Sequence, residues 1–122
     1  MEVKAESKWV RSSARKVRRV VDLVRGKPVK VALAELSFMP HKGARLLEKV
    51  IKSAAANAKN NFKLKEDILY VSKAYVDEAT ALKRFRAAAR GRAAPRLKRS
   101  SHITVYVSES PEKQAQVKER KE

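Results

Sequence analysis

The chain has 122 residues, which is enough for one small domain with a single core and too few for two. Thirty Lys and Arg against thirteen Asp and Glu give a net charge of +17, which predicts a polyanionic partner such as nucleic acid or an anionic membrane. Cysteine is absent, so disulfides, thiol catalysis and thiolate zinc sites are excluded. Because no run of about 18 apolar residues occurs and charges interrupt the first thirty positions, we expect neither a membrane span nor a secretory leader.

Residues 2–8 alternate in polarity, which is the pattern of a half-buried β-strand. Val3, Ala5 and Ser7 fall on one face, and the charged residues fall on the other. Trp9 continues the inward parity, so we expect it to seal the edge of the sheet.

A first helix is predicted from about Ala14 to Arg25, because Ser12 and Ser13 suit its N-cap and Gly26 suits its end. Its apolar stripe consists of four valines at helical spacing, Val17, Val20, Val21 and Val24. The other side is basic and predicts phosphate contact, with ordinary solvation as the alternative. The basic residues of this region are Arg11, Arg15, Lys16, Arg18 and Arg19.

Two more helices follow. Pro28 suits the first turn of a short second helix, and Pro40 ends it. The apolar stripe of this helix is Val29, Ala32, Leu33 and Leu36. The third helix is predicted from about His41 to Asn60, where Asn60-Asn61 suits a left-handed stop. Its inward residues are Leu47, Val50, Ile51, Ala54 and Ala58. His41 is interpreted as a capping or surface residue, because no second metal ligand stands beside it.

A basic segment at 82–99 lies between two strand-like runs, 68–76 and 101–107, and no acid occurs from Ala79 to Ser108. This arrangement predicts a long β-hairpin whose turn is at Gly91, because glycine takes positive φ without cost. At roughly 3.3 Å per residue and about nine residues per arm, the hairpin would reach about 30 Å. The alternative is a disordered basic loop. On the return strand we expect Ile103, Val105 and Val107 to face inward, and His102, Thr104 and Tyr106 to face outward.

The predicted fold class is α+β, with three helices packed on a three-stranded antiparallel sheet and a long protruding basic β-hairpin. Residues 1–108 would form the single domain, including the extended hairpin at 79–99. Residues 109–122 are mixed in charge and poor in large apolar groups, which predicts a disordered tail.

Catalysis finds no support in the sequence, so we expect no enzyme activity, no cofactor and no metal site. The two histidines are far apart, and the adjacent acids Glu66-Asp67 and Asp77-Glu78 point to opposite faces. What remains is a set of cations with potential stacking residues, namely Trp9, Phe85, Tyr106 and His102. The predicted nucleic-acid-binding residues are Arg11, Arg15, Lys16, Arg18, Arg19, Lys83, Arg84, Arg86, Arg90, Arg92, Arg96, Lys98, Arg99 and His102.

Two more specific classes of function are alternatives that the sequence must be weighed against. A DNA-bending nucleoid protein also uses basic β-arms in the minor groove, but such arms work in pairs and this chain shows no large apolar face left for dimerisation. A basic accessory or antimicrobial polypeptide would pair its cations with bulky apolar anchors, whereas these helices are rich in Val and Ala.

Several runs of the chain occur together: RSSARKVRRVVDLVRG at 11–26, LLEKVIKSAAANA at 46–58, YVDE at 75–78 and GRAAPRLKRSSHITVYV at 91–107. With them the chain resembles the family of the bacterial large-subunit ribosomal protein twenty-two, from about Glu2 to Val107. The most specific part is GRA followed by LKR and SHITV. The positions that match on the hairpin and first helix are Lys83, Arg84, Arg90, Gly91, Arg92, Lys98, Arg99, Arg15 and Lys16.

The resemblance implies a cytoplasmic protein in the ribosome, with its body on the large-subunit surface near the peptide exit and its hairpin lining the exit tunnel. It implies contacts with several ribosomal RNA domains and with neighbouring large-subunit proteins, and a role in early assembly. The nascent polypeptide would be a further partner, and macrolide antibiotics would bind near the hairpin tip; no membrane is involved.

The chain departs from the family pattern at three sites. Ala79-Thr80 and Ala87-Ala88 stand where the family usually has Gly-Pro and Pro-Arg, and Pro95 is unusual on the descending arm. Because proline has no N–H, Pro95 must lie at an outward-facing or bulged position. The fold prediction is unaffected, but the conformation of the tip does not follow from the resemblance.

Overall fold

The computed structural model of the protein describes residues 2–109. Three helices lie on a three-stranded antiparallel sheet, and a two-stranded hairpin forms a second sheet, which confirms the predicted α+β fold. The strands are Glu2–Val10 (β1), Leu69–Glu78 (β2), Leu82–Ala87 (β3), Ala93–Lys98 (β4) and Ser101–Glu109 (β5). The helices are Ala14–Val24 (α1), Val29–Phe38 (α2) and Lys42–Asn61 (α3). Short 3₁₀ turns occur at Glu66–Ile68 and Ala89–Gly91.

The central strand of the larger sheet is β5, with β1 and β2 as its antiparallel neighbours. Its inner side chains Ile103, Val105 and Val107 are fully buried, as predicted. Thr104 belongs to the outer face, yet it is 4% exposed because its Cα partners on the two flanking strands, Glu6 and Tyr75, stand on either side. A central strand therefore buries even an outward threonine.

The helices cover the inner face of this sheet, with α3 on β1 and β5, α1 on β2, and α2 on α3. The predicted apolar stripes are confirmed, since their members are buried and only Leu33 is partly exposed. Gly26, at φ +83°, ends α1 as expected. Its N–H donates to the Val71 carbonyl (2.9 Å), and the Val71 N–H donates to the Lys27 carbonyl (2.9 Å). The segment after α1 is thereby fastened to β2.

Some local predictions were wrong. Trp9 does not face inward: a β-bulge between Ser7 and Val10 reverses the parity, so Val10 is buried and Trp9 is 60% exposed. The stop of α3 is not at Asn60-Asn61, because the helix includes Asn61 and the left-handed residue is Lys63, at φ +54°. Ser13 is the N-cap residue of α1, but its side chain makes no capping hydrogen bond.

The predicted tail boundary falls inside a strand, since β5 includes Glu109. The rest of the predicted tail, 110–122, lies outside the described residues.

Candidate nucleic-acid interface

The hairpin has two chemically different faces. Cα partners across β3 and β4 share a face, and successive residues alternate between faces. One face is cationic and consists of Leu82, Arg84, Arg86, Ala94, Arg96 and Lys98. The other is mainly apolar and consists of Lys83, Phe85, Ala87, Ala93, Pro95 and Leu97. The cations of this segment are visible in the sequence, but their separation onto one face depends on the register between the two strands.

Both faces of the hairpin are exposed, including 75% of Phe85. Arg84 and Arg96 are direct cross-strand partners, and like charges in this position repel. No ion pair within residues 2–109 involves a side chain of the hairpin. The cationic face therefore lacks an acidic counterpart in the described part of the chain.

The tip of the hairpin is the turn Ala89–Gly91, closed by a hydrogen bond from the Ala88 N–H to the Arg92 carbonyl (2.6 Å). Gly91 has φ +71°, the conformation for which glycine was expected. Arg90 also has positive φ, at +60°, which is uncommon for a residue with a side chain. The tip thus presents exposed Arg90 and Arg92 on either side of Gly91.

Pro95 fits this ladder without breaking a hydrogen bond. Ala88 and Arg92 form a hydrogen-bonded pair, and such pairs alternate with non-hydrogen-bonded ones along an antiparallel ladder. Phe85 and Pro95 are therefore a non-hydrogen-bonded pair, in which the proline nitrogen points away from β3. This is the outward-facing position that the sequence required.

A second cationic surface, the basic groove, lies where the N-termini of α1 and α3 meet. It is a concave region of about 440 Å³ lined by Arg11, Ser12, Ser13, Lys16, Arg19, His41, Lys42 and Gly43. No acid is among its described lining residues. The two helices approach closely at Gly43, where a Cβ would lie 3.4 Å from the Val17 Cα. Lys42 Nζ donates to the Arg11 carbonyl (2.9 Å), which ties α3 to the loop before α1.

The groove brings together Arg11, Lys16 and Arg19 from the predicted set and adds His41 and Lys42, which sequence reasoning did not select. Their position at the start of α3 was visible in the sequence, but the proximity of that start to α1 was not. Arg15 is exposed on α1, and Arg99 is exposed between β4 and β5.

Arg18 has a structural role at the sheet edge. Its Nε and Nη2 donate to the Val76 carbonyl at 3.1 and 2.9 Å. At the C-terminal end of α1, Arg25 Nε and Nη2 donate to the Ala74 carbonyl at 3.1 and 2.7 Å. Ala74 and Val76 belong to the edge strand β2, so the two arginines cover edge carbonyls that no strand pairs.

Aromatic residues gather on the outer face of the larger sheet. Trp9 and His102 meet edge to face, with ring centroids 4.8 Å apart. Tyr75 and Tyr106 lie 6.3 Å apart, and their side-chain hydrogen bond raises the pKa of Tyr75 above its ordinary value. Both pairs lie on the side of the sheet that the helices leave open.

The profile of one protein family, "Ribosomal protein L22p/L17e", matches residues 5–108. The chain belongs to this family. "Large ribosomal subunit protein uL22" of Ligilactobacillus salivarius is 58% identical over 105 residues, which cover 86% of this chain and 91% of that protein. The protein of the same name from Halothermothrix orenii is 52% identical over 112 residues, covering 92% of this chain and 99% of that protein. The family resemblance drawn from the sequence is confirmed.

As a member of the L22p/L17e family, the chain is a ribosomal protein, and this family is a structural class rather than an enzyme class. The matched segment includes the hairpin, the basic groove and the outer sheet face. Between residues 2 and 109, no helix is long and apolar enough to cross a membrane. The same residues bring together no group of three or more His, Asp or Glu that could hold a metal ion.

Proposed function

We propose that the protein is a structural constituent of the large ribosomal subunit, in the cytoplasm, and that it binds ribosomal RNA chiefly through the cationic face of its hairpin. The observation that carries this proposal is the arginine pair Arg84 and Arg96, opposed across an exposed two-stranded sheet without an acidic partner in residues 2–109. Two strands alone are marginal in water. RNA phosphates would relieve the repulsion and fix the hairpin in one shape.

The two faces of the hairpin suit two different neighbours in a tunnel walled by RNA. The cationic face would lie against the RNA wall, where arginine forks onto phosphate oxygens. The apolar face, with Phe85 and Leu97 exposed, would border the lumen through which the nascent polypeptide passes. The tip would place Arg90 and Arg92 at the innermost point, beside the site that the family resemblance assigns to macrolide antibiotics.

The basic groove supplies a second RNA contact on a different part of the molecule. Helix N-termini and clustered cations both favour phosphate, and Lys42 holds the groove in shape through Arg11. A protein with one contact on its body and another along a hairpin can join several ribosomal RNA domains. This geometry supports a role in early subunit assembly beside neighbouring ribosomal proteins.

The test is ribosome fractionation in high salt with a variant in which Arg84, Arg86 and Arg96 are replaced by Ser. We expect the wild-type protein to stay with the large subunit and the triple variant to be washed off. A matched control replaces three exposed lysines of the α3 region, Lys49→Ser, Lys59→Ser and Lys65→Ser, and should remain bound. Equal loss of the two variants would show that total charge, not the hairpin face, carries the interaction.

A competition experiment distinguishes RNA from DNA as the partner. Ribosomal RNA should displace the labelled protein from duplex DNA at equal nucleotide concentration, and sedimentation of the free protein should show a monomer. Preference for duplex DNA together with a dimer would support the DNA-bending alternative instead.

A further inference from the structure

The β-bulge in β1 turns Trp9 out of the core. Ser7 pairs with Ile103 and Val10 pairs with Ser101, so Lys8 and Trp9 together oppose the single residue His102. Trp9 has φ +60°, a strained conformation for a bulky residue, and 60% of its surface is exposed. The backbone is therefore strained at a position where the largest aromatic side chain is only partly buried.

His102 fixes this arrangement from the central strand. Its Nδ1 accepts a hydrogen bond from the Trp9 backbone N–H (3.1 Å), so the ring proton of His102 lies on Nε2. The two rings also meet at an interplanar angle of 83°. His102 therefore holds both the bulged backbone and the indole ring while leaving much of that ring open to solvent.

The charge around Trp9 favours an anionic polymer. One acid-free segment of the chain runs from Ser7 to Val21 and another from Ala79 to Ser108, and Trp9 and His102 are where the two segments meet. Lys8 and Arg11 stand beside Trp9 in the chain, and both are exposed. The nearest acid along the chain, Glu6, is balanced by Lys4 and Lys8, whose Nζ atoms lie 3.6 and 3.9 Å from its carboxylate. Asp77, the acid partnered with His102, lies on β2, on the opposite side of β5 from Trp9.

We infer that Trp9, positioned by His102, stacks on an unpaired base of ribosomal RNA at the foot of the hairpin. An exposed indole among cations is the arrangement by which proteins hold single-stranded bases, since the ring meets the base and the cations meet the phosphates. This inference rests on the proposed function and adds to it a base contact at Trp9, which lies next to Arg11 of the basic groove.

Trp9 fluorescence tests the inference directly, because it is the single tryptophan of the chain. The full protein is titrated with a transcript of large-subunit ribosomal RNA, and binding is followed in parallel by filter retention. Stacking predicts that emission is strongly quenched as the RNA binds, whereas a fully paired RNA duplex should leave it largely unchanged. Retention without quenching would overturn the stacking contact and leave the proposed function intact; no retention at all would overturn both.

Substitutions at Trp9 separate stacking from apolar bulk. Trp9→Leu should weaken binding of the transcript by about 5- to 150-fold, the range for loss of one stacked base, while Trp9→Phe should retain most of the affinity. Phe38→Leu is a matched control, because Phe38 is 87% exposed at the end of α2 and lies outside the proposed site. Equal affinities of the Leu and Phe variants at position 9 would contradict the inference.

The positioning role of His102 has its own readout. His102→Phe removes the acceptor for the Trp9 N–H, so time-resolved anisotropy of Trp9 should show faster local motion and RNA should quench it less. His102→Asn keeps an acceptor and should restore both signals. Unchanged anisotropy and quenching in the Phe variant would show that His102 does not position Trp9.

Discussion

The arginines of α1 have different tasks although they share one basic face in the sequence. Arg18 is bound to the carbonyl of Val76, whereas neighbouring Arg19 lines the basic groove and makes no side-chain hydrogen bond among the described residues. A guanidinium fixed to a backbone carbonyl has fewer donors left for phosphate. Loss of Arg18 should therefore lower stability more than RNA binding, and loss of Arg19 should lower RNA binding more than stability.

Replacing Arg18 by Met tests this division. The change keeps most of the side-chain length but leaves a partly buried carbonyl without its charged donor, which should lower the free energy of unfolding by about 1–3 kcal/mol. Urea denaturation of the free protein measures the loss. Arg19→Met is the control: it should change stability by less than about 0.5 kcal/mol and weaken binding to ribosomal RNA. A stable Arg18→Met variant would contradict the structural role.

At the scale of elements, two glycines with positive φ stand at turns of different kinds, one after a helix and one at the hairpin tip. Gly26 joins α1 to β2 within the body, and Gly91 forms the hairpin tip. A Cβ at either position would meet no atom within 4 Å, so alanine adds conformational strain but no clash. Replacing each glycine by alanine therefore compares how strongly α1 and the hairpin are coupled to the folding of the core.

We expect Gly26→Ala to lower the free energy of unfolding by about 1–2 kcal/mol, the cost of a left-handed alanine. Gly91→Ala should leave the unfolding of the body unchanged, because β3 and β4 are exposed and pair with each other. Thermal unfolding followed by circular dichroism compares the two variants. A similar loss for both would mean that the hairpin folds cooperatively with the body.

Hydrogen exchange gives an independent view of the same separation. Amides from Ala81 to Leu97 should exchange rapidly in the free protein and become protected on binding ribosomal RNA, since the isolated ladder has only two strands. Amides of β5, the central strand, should be protected in both states. Strong protection of the hairpin in the free protein would contradict an element that RNA completes.

Sequence patterns predicted the elements better than their local irregularities. The valine stripe of α1 and the alternation of β5 report burial directly, so helices and strands were assigned correctly. The alternation along β1 wrongly placed Trp9 inward, because the β-bulge adds one residue to this strand and no pattern in the strand's sequence indicates it. The tie from Arg18 to Val76 could not be predicted either, since it depends on β2 being an edge of the sheet.

At the scale of the whole molecule, charge is distributed unevenly. The net charge is +17, yet the ion pairs found among the described side chains of residues 2–109 all lie in the body. The hairpin is acid-free, and so is the segment that forms most of the basic groove. The body therefore neutralises part of its own charge, whereas the cations of the hairpin and the basic groove can replace the counterions of RNA phosphates.

Because the hairpin carries cations without acidic partners, the salt dependence of RNA binding tests whether its cationic face contacts the phosphates. Each phosphate contact releases counterions, so the slope of log affinity against log salt counts contacts, at about 0.7–0.9 per contact. Replacing Arg84, Arg86 and Arg96 by Ser should reduce the magnitude of that slope by about 2. The control substitutions at Lys49, Lys59 and Lys65 remove the same charge and should change it little. Equal reductions would mean that RNA responds to the field of the whole cation, and the cationic face of the hairpin would then have no special part in binding.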